Sequence, residues 1–275
     1  MKKIAVLGPK GTYSDIAANK YKELINEDIE IDYYPSIIKS INAIDDDTIT
    51  ICPFENVLDG FVTEALDQII KSNLNIIYQL KLPIDFAFVS NAKSIEDVKH
   101  IYVQFKAYGQ CLEFITNNNF EIIKTESNIV SLNKLLESDN SYGAIIPIHK
   151  AYKNFNLKIL NIADSKHNET RFFVVTNKNK EFKINDDFEA SLVFDAIEDR
   201  PGILYSILSE FNLKNINLKS ILSRPDKTIM GKYNFYIEVS GKCNELDNLY
   251  ELIDKFMKHK DYRIRVLGIY NKIGD

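Results

Sequence analysis

Residues 168–175 read Asn-Glu-Thr-Arg-Phe-Phe-Val-Val, which sets a hydroxyl, Thr170, and a guanidinium, Arg171, directly ahead of a strongly apolar run. Arginine grips a planar carboxylate through two parallel hydrogen bonds, and a threonine hydroxyl gives or takes one at short range. The ordinary alternative for such a pair is a solvated strand start. Pro53-Phe54-Glu55-Asn56 follows the apolar run 49–52 and precedes Gly60, so Glu55 and Asn56 fall at the C-terminal edge of a buried strand, where open α/β sheets place ligands. Side by side they offer an acceptor and an amide donor, or else an exposed Asx-type turn.

Two further stretches have the residue types to bind an anion or a hydroxyl. Gly8-Pro9-Lys10-Gly11-Thr12-Tyr13-Ser14 joins a first strand to a first helix, and its glycines let backbone N–H groups approach an anion at the helix N-terminus. It has neither the Gly-Lys-Ser/Thr order of a phosphate-binding P-loop nor the third glycine of a dinucleotide fingerprint. Read without a ligand, it is a tight turn with Ser14 as N-cap. Gln110, in Tyr108-Gly109-Gln110-Cys111, can project an amide from a helix into a cleft or into solvent.

Other chemistries are poorly served. His100, His149, His167 and His259 show no ligand spacing, so no metal site is expected. Cys52, Cys111 and Cys243 are odd in number and widely spaced, which suits a reducing cytoplasm rather than a disulfide framework. A net charge of -5 gives no reason to expect nucleic acid or an anionic membrane as partner. The apolar start at residues 4–7 stops at Gly8-Pro9, too short for a signal peptide, and no run approaches the roughly 18 to 20 apolar residues of a membrane span.

The elements that must position these residues follow from apolar periodicity. Short apolar runs alternate with helical patterns as far as about residue 175, which predicts an open α/β sheet with strands over 4–7, 29–33, 49–52, 76–80, 85–89, 101–103, 121–124, 143–146 and 171–175. Helices are expected over 14–24, 36–44, 63–72, 107–116 and 127–136. Pro83 marks an extended crossing at 81–84, a candidate hinge between two lobes. Polar residues over 176–187 then separate a smaller unit. That unit reads strand 189–195, turn 198–202, helix 203–213, strand 216–223, strand 232–239, helix 245–258 and strand 262–268. This is a ferredoxin-like βαββαβ order with two helices on one side of four strands.

In combination the chain resembles prephenate dehydratase. Gly8-Pro9-Lys10-Gly11-Thr12-Tyr13-Ser14 with Ala17-Ala18 is similar to that family's GPxGTFS opening. Pro53-Phe54-Glu55-Asn56 with Gly60, Val62 and Asp67 is similar to its P-(I/V)-E-N-S-x-x-G-x-V-x-x-T-x-D stretch, and Ile162-Ala163-Asp164 with Asn168, Thr170, Arg171 and Phe172 to its IxD…NxTRF signature. Asp199-Arg200-Pro201-Gly202-Ile203-Leu204 and Ile216-Asn217-Leu218 with Ser223-Arg224-Pro225 resemble the PGAL-type loop and INL…ESRP element of an appended ACT domain. The chain departs from the pattern at Val57 for Ser, Ala65 for Thr, Leu222 for Glu, and Val103-Gln104-Phe105-Lys106 for a Ser-His-Pro-Gln sequence. These departures remove candidate hydroxyls.

The resemblance implies a cytoplasmic hydro-lyase that turns prephenate into phenylpyruvate in phenylalanine synthesis, with no cofactor. Its expected fold is a two-lobed, periplasmic-binding-protein-like (type II) catalytic domain over 1–178, hinged near 81–84 and 165–172, followed by an ACT domain over 188–270. Thr170, networked with Glu55, Asn56 and Gln110, is expected to help the ring hydroxyl leave, while Gly11, Thr12, Ser14, Arg171 and Phe172 bind substrate. Phenylalanine, the expected effector, would bind at Pro201, Gly202, Ile203, Leu204, Asn217, Leu218, Ser223, Arg224 and Pro225, between subunits of a homodimer or homotetramer. Two alternatives stay open: a non-catalytic amino-acid-sensing binding protein, and an enzyme that decarboxylates prephenate without aromatising it.

Overall fold

The structure is a computed structural model that describes residues 3–151, 154–178, 184, 186–197, 200–225 and 233–271. Parts of three sequence expectations lie outside the described residues: 179–183 and 185 in the polar separator, Glu198 and Asp199 in the turn, and Lys232 at a strand start.

Along the chain, β1 (Lys3–Leu7), α1 (Tyr13–Ile25), β2 (Glu30–Tyr34), α2 (Ile37–Asn42), β3 (Thr48–Asn56), β4 (Gly60–Phe61), α3 (Thr63–Lys71) and β5 (Asn75–Pro83) build a first lobe. A second lobe follows with β6 (Phe86–Ser90), β7 (His100–Gln104), α4 (Phe105–Gln110), α5 (Leu112–Asn118), β8 (Glu121–Thr125), α6 (Asn128–Leu136), β9 (Tyr142–Pro147) and β10 (Leu157–Leu160). The chain then returns as β11 (Glu169–Thr176), which inserts antiparallel between β3 and β5. The two sheets run β2-β1-β3-β11-β5 and β10-β6-β9-β7-β8, each mixing parallel and antiparallel pairs.

Two chain crossings join the lobes, and they lie slightly apart from the expected hinge. Residues 81–83 still belong to β5, and Glu169 to Phe172 already belong to β11, because the two strands remain hydrogen-bonded up to the pair Pro83 and Glu169. The crossings are therefore residues 84–85 and 161–168, tied together by the Ile84 N–H donating to the Asn168 carbonyl at 2.8 Å. The helix expected over 107–116 is two helices. It breaks at Cys111 because Asp164 accepts from the N–H groups of Leu112 (2.9 Å) and Glu113 (3.1 Å) and so starts a second helix there.

The C-terminal unit is β12 (Phe188–Ala196), α7 (Ile203–Leu213), β13 (Asn217–Pro225), β14 (Tyr233–Gly241), α8 (Leu246–Met257) and β15 (Tyr262–Asn271), with sheet order β13-β14-β12-β15. Alternation on β12 gives its sheet two buried faces. Phe188, Ala190, Leu192 and Phe194 meet Ile207, Phe211 and Phe256 of the helices, whereas Val193 joins Tyr236, Leu267 and Tyr270 in a core shared with Cys52, Phe54 and Phe173 of the first lobe. Gly268 on β15 allows this approach, since a Cβ there would overlap the Ile76 carbonyl of β5. Gly268→Ala is expected to lower stability by about 1–3 kcal/mol, the usual cost of overpacking against backbone that cannot swing aside, seen as a fall in the urea midpoint.

Candidate active site

β11 presents alternate side chains to opposite surroundings. Phe172 and Val174 pack in the first-lobe core beneath α1, whereas Phe173 and Val175 pack in the core shared with the C-terminal sheet. Thr170 therefore faces the side of Phe172, and both line a cleft of about 840 Å³ between the lobes. β3 lies alongside with one residue more than β11 opposite Arg171 and Phe172. This bulge keeps Phe54 and Glu55 on the C-terminal side, where Phe54 joins the shared core and Glu55 meets Arg171, and it turns Asn56 back into the cleft.

The cleft polar groups form a closed ring. The Asn56 amide nitrogen donates to Asn168 Oδ1 (2.8 Å), Thr170 Oγ1 (2.9 Å) and the Glu169 carbonyl (3.1 Å). Asn168 donates in turn to Gln110 Oε1 (2.9 Å), and Gln110 to Asp59 Oδ2 (3.3 Å). Asn56 Oδ1 closes the ring by accepting from the Leu58 and Asp59 N–H groups, both at 3.0 Å. Asn56, Gln110 and Asn168 are all buried. The Thr170 oxygen accepts a bond from Asn56 and lines the cleft, so its own proton remains available to donate to a bound molecule.

Three expectations are corrected. Arg171 does not reach the cleft: its Nη1 and Nη2 donate to the two carboxylate oxygens of Glu238 (both 2.7 Å), and Nη2 also to Glu55 (2.8 Å). Neighbours on a strand face opposite ways, so Thr170 and Arg171 cannot both serve one ligand. Glu55, expected in the same network as Thr170, is drawn to Arg171 and away from the cleft for the same reason. Gly11, at φ 94°, adopts a backbone that favours glycine, but its N–H is already taken by the Asp15 carboxylate (2.7 Å), so it offers no vacant anion cradle. Thr12 and Ser14 do line the cleft, and Thr12, not Ser14, occupies the N-cap position of α1.

Other contacts stitch the lobes beside this ring. The Tyr13 hydroxyl donates to the Asp85 carbonyl (2.5 Å) and accepts from its N–H (3.0 Å), and burial pushes its pKa up, which keeps it a neutral donor. His149 Nε2 lies 3.0 Å from the Gly11 carbonyl, where a neutral ring protonated at that nitrogen donates; burial lowers its pKa and favours that form. Burial likewise raises the Cys111 thiol pKa, leaving it unreactive. Among the described residues, no group of three or more His, Cys, Asp or Glu side chains is arranged to hold a metal ion, and no helix is long and apolar enough to cross a membrane.

In the C-terminal unit, Pro201, Gly202, Ile203 and Leu204 form the turn and first residues of α7. The strand register brings Ser223, Arg224 and Pro225 to that same end of the sheet, level with Phe194 and Asp195. Asn217 and Leu218 lie at the opposite end, level with Glu189. Arg224 is held by the Asp67 carboxylate of α3 through two bonds of 2.9 and 2.8 Å, tying β13 to the first lobe.

Asn168, which the sequence marks only as part of a motif, bridges Asn56 to Gln110. Its place in the ring joins residues 112 and 58 positions apart in the chain, which local spacing does not reveal.

Fold and site define a two-lobed, cleft-bearing α/β protein in which a ring of amides holds a threonine hydroxyl at the cleft wall. The prephenate dehydratase family model matches residues 4–180. The chain is similar to the prephenate dehydratase of Methanocaldococcus jannaschii, at 35% identity over 267 residues covering 95% of each chain. Among solved structures it is similar to the prephenate dehydratase of Staphylococcus aureus, with TM-score 0.80 and 28% identity over 98% of this chain and 100% of that one. It is also similar to the enzyme of Arthrobacter aurescens in complex with L-Phe, with TM-score 0.81 and 25% identity over 98% and 90%. The chain belongs to the prephenate dehydratase family.

Proposed function

We propose that this chain converts prephenate to phenylpyruvate in a type II, two-lobed catalytic domain spanning residues 1–178, with Thr170 as the group that helps the ring hydroxyl leave. The ring C–CO2 bond breaks and its electron pair enters the ring, the opposite C–O bond breaks, and the departing hydroxide takes up one proton. Prephenate dianion plus a proton thus gives phenylpyruvate monoanion, carbon dioxide and water. Aromatisation drives the change, so the protein need only hold the substrate and stabilise the charge developing on the leaving oxygen.

The observation that carries this reading is the Thr170 hydroxyl, which lines the cleft and whose oxygen accepts from Asn56, so that its own proton remains available to a bound molecule. A threonine hydroxyl is too weak an acid to be spent as a proton source, so it acts by a positioned hydrogen bond, strengthened by the bond it accepts. Asn56, Asn168 and Gln110 hold that orientation, and Phe172 supplies an apolar wall for the ring.

Residues 188–270 are read as an ACT domain through which phenylalanine restrains the reaction, in a homodimer or homotetramer. The βαββαβ order, the Arg224 tie to Asp67 and the L-Phe bound to the Arthrobacter relative support this reading. The test is to mix purified protein with prephenate at neutral pH and follow phenylpyruvate by its alkaline enolate absorbance, with and without phenylalanine. Suppressible product is expected. No product would sink the catalytic assignment, and carbon dioxide released without an aromatic spectrum would make the chain a non-aromatising decarboxylase.

A further inference from the structure

The cleft wall is acidic for a site that is to take a dianion. Asp59, Glu64 and Glu126 line it, and Lys106 is the one Lys, Arg or His side chain among the described residues that do. Lys106 also falls in the stretch where the sequence departs most from the pattern it otherwise resembles. Its backbone is fixed at the start of α4, where Gln104 Oε1 accepts from the Lys106 N–H at 2.8 Å. Its ammonium crosses from the second lobe towards the first and stands 3.5 Å from Asp59 Oδ2, close enough to attract but without a hydrogen bond. The side chain is 58% exposed, so its donors stay open to an incoming anion. Asp59 is the same residue that closes the amide ring below Thr170, which puts the ammonium at one end of the network that ends in the catalytic hydroxyl.

We propose that Lys106 binds the 2-oxo acid carboxylate of the prephenate side chain, the carboxylate that survives into phenylpyruvate. The inference rests on the cleft being a prephenate site. The choice between the two carboxylates follows from how their charges change. The ring carboxylate loses its charge as carbon dioxide forms, so a cation paired with it would stabilise the ground state more than the transition state and slow the reaction. The side-chain carboxylate keeps its charge throughout. A cation there binds substrate, transition state and product alike, and offsets the repulsion of the three wall carboxylates.

The experiment measures prephenate KM and kcat, and the inhibition constant of added phenylpyruvate, for wild type, Lys106→Gln, Lys106→Arg and Asp59→Asn. Lys106→Gln is expected to raise KM and the phenylpyruvate constant together, roughly tenfold to a hundredfold, the range for one charge-assisted hydrogen bond, with kcat falling far less. Lys106→Arg should restore most of the loss. Asp59→Asn frees the ammonium from its competitor and keeps an acceptor for Gln110, so KM should fall by about threefold, the scale of an exposed ion pair. A Lys106→Gln variant with altered KM but an unchanged phenylpyruvate constant would overturn the assignment to the retained carboxylate. Unchanged values of both would remove Lys106 from the site. Equal losses in Lys106→Gln and Asp59→Asn would make the pair an interlobe latch and refute the proposal. A wild-type protein that forms no phenylpyruvate would instead defeat the reading of function on which the inference stands.

Discussion

Thr170→Val is expected to lower kcat by about 10²–10³-fold with little change in KM, the scale measured when one donor to a developing oxyanion is removed. The variant should fold normally, for a reason visible in the hydrogen bonding. The Asn56 amide nitrogen has two hydrogens and three acceptors within reach: Asn168 Oδ1, Thr170 Oγ1 and the Glu169 carbonyl. Removing the Thr170 oxygen still leaves an acceptor for each hydrogen, so no buried donor is orphaned and the structural cost is small. Valine also keeps the β-branched shape that suits a strand. Thr170→Ser, which keeps the hydroxyl but loosens its rotamer, should stay within about tenfold of wild type. The check is the rate of phenylpyruvate formation at saturating prephenate, beside a urea midpoint. A change confined to KM would make Thr170 a binding group and take the departing oxygen away from it.

Much of this site was legible in the sequence, and the two misplaced charged residues, Glu55 and Arg171, have one physical source. The stretches around Asn56, Gln110 and Thr170 were each placed at the ends of strands or in helices by their apolar flanks, and the structure brings these three side chains into one network. By residue type alone, two adjacent pairs, Glu55 with Asn56 and Thr170 with Arg171, both fall whole in the cleft. Strand alternation requires each pair to be divided, but which member faces the ligand depends on what covers the other face of the sheet. That cover is the C-terminal sheet, packed from a segment more than a hundred residues away in the case of Glu55 and its neighbours. The break between α4 and α5 at Cys111 has a similar origin, because the capping carboxylate of Asp164 comes from a distant loop. The edge strand β10, only four residues long, carried too short a pattern to be separated from a loop.

Glu238→Ala should cost about 3 kcal/mol of folding stability, at the lower end of the range for removing one partner of a buried ion pair. Glu238 sits on the central strand β14, is fully buried, and receives Nη1 and Nη2 of Arg171, the Ser220 hydroxyl (2.9 Å) and the Tyr270 hydroxyl (3.4 Å). The remaining partners of Arg171 moderate the loss: Glu55 at 2.8 Å, and Glu189 at 3.5 Å. Glu238→Gln should be less costly but still destabilising, since an amide NH2 cannot accept from the guanidinium. Arg171→Met combined with Glu238→Leu should regain most of the stability. Glu189 keeps Lys219 at 2.7 Å, and Glu55 is a third exposed, so neither carboxylate is left buried alone. The pH dependence has a definite sign. Burial works to raise the Glu238 pKa, but Arg171, Lys219 and Ser220 hold it below the usual carboxylate value. The unfolded chain therefore binds this proton more readily, and the contribution of Glu238 is complete above the unfolded pKa of about 4.3 and is lost as pH falls through the lower folded value. Urea midpoints taken from pH 7 down to pH 3 should fall more steeply in wild type than in Glu238→Gln; parallel curves would show that the pair does not hold the domains together. The same variant bears on catalysis, because Arg171 adjoins Thr170 on β11 and the clamp on one side chain fixes the strand that aims the other. Glu238→Gln is accordingly expected to lower kcat several-fold under conditions where it remains folded, and the double variant, which removes the clamp while recovering stability, should keep that deficit.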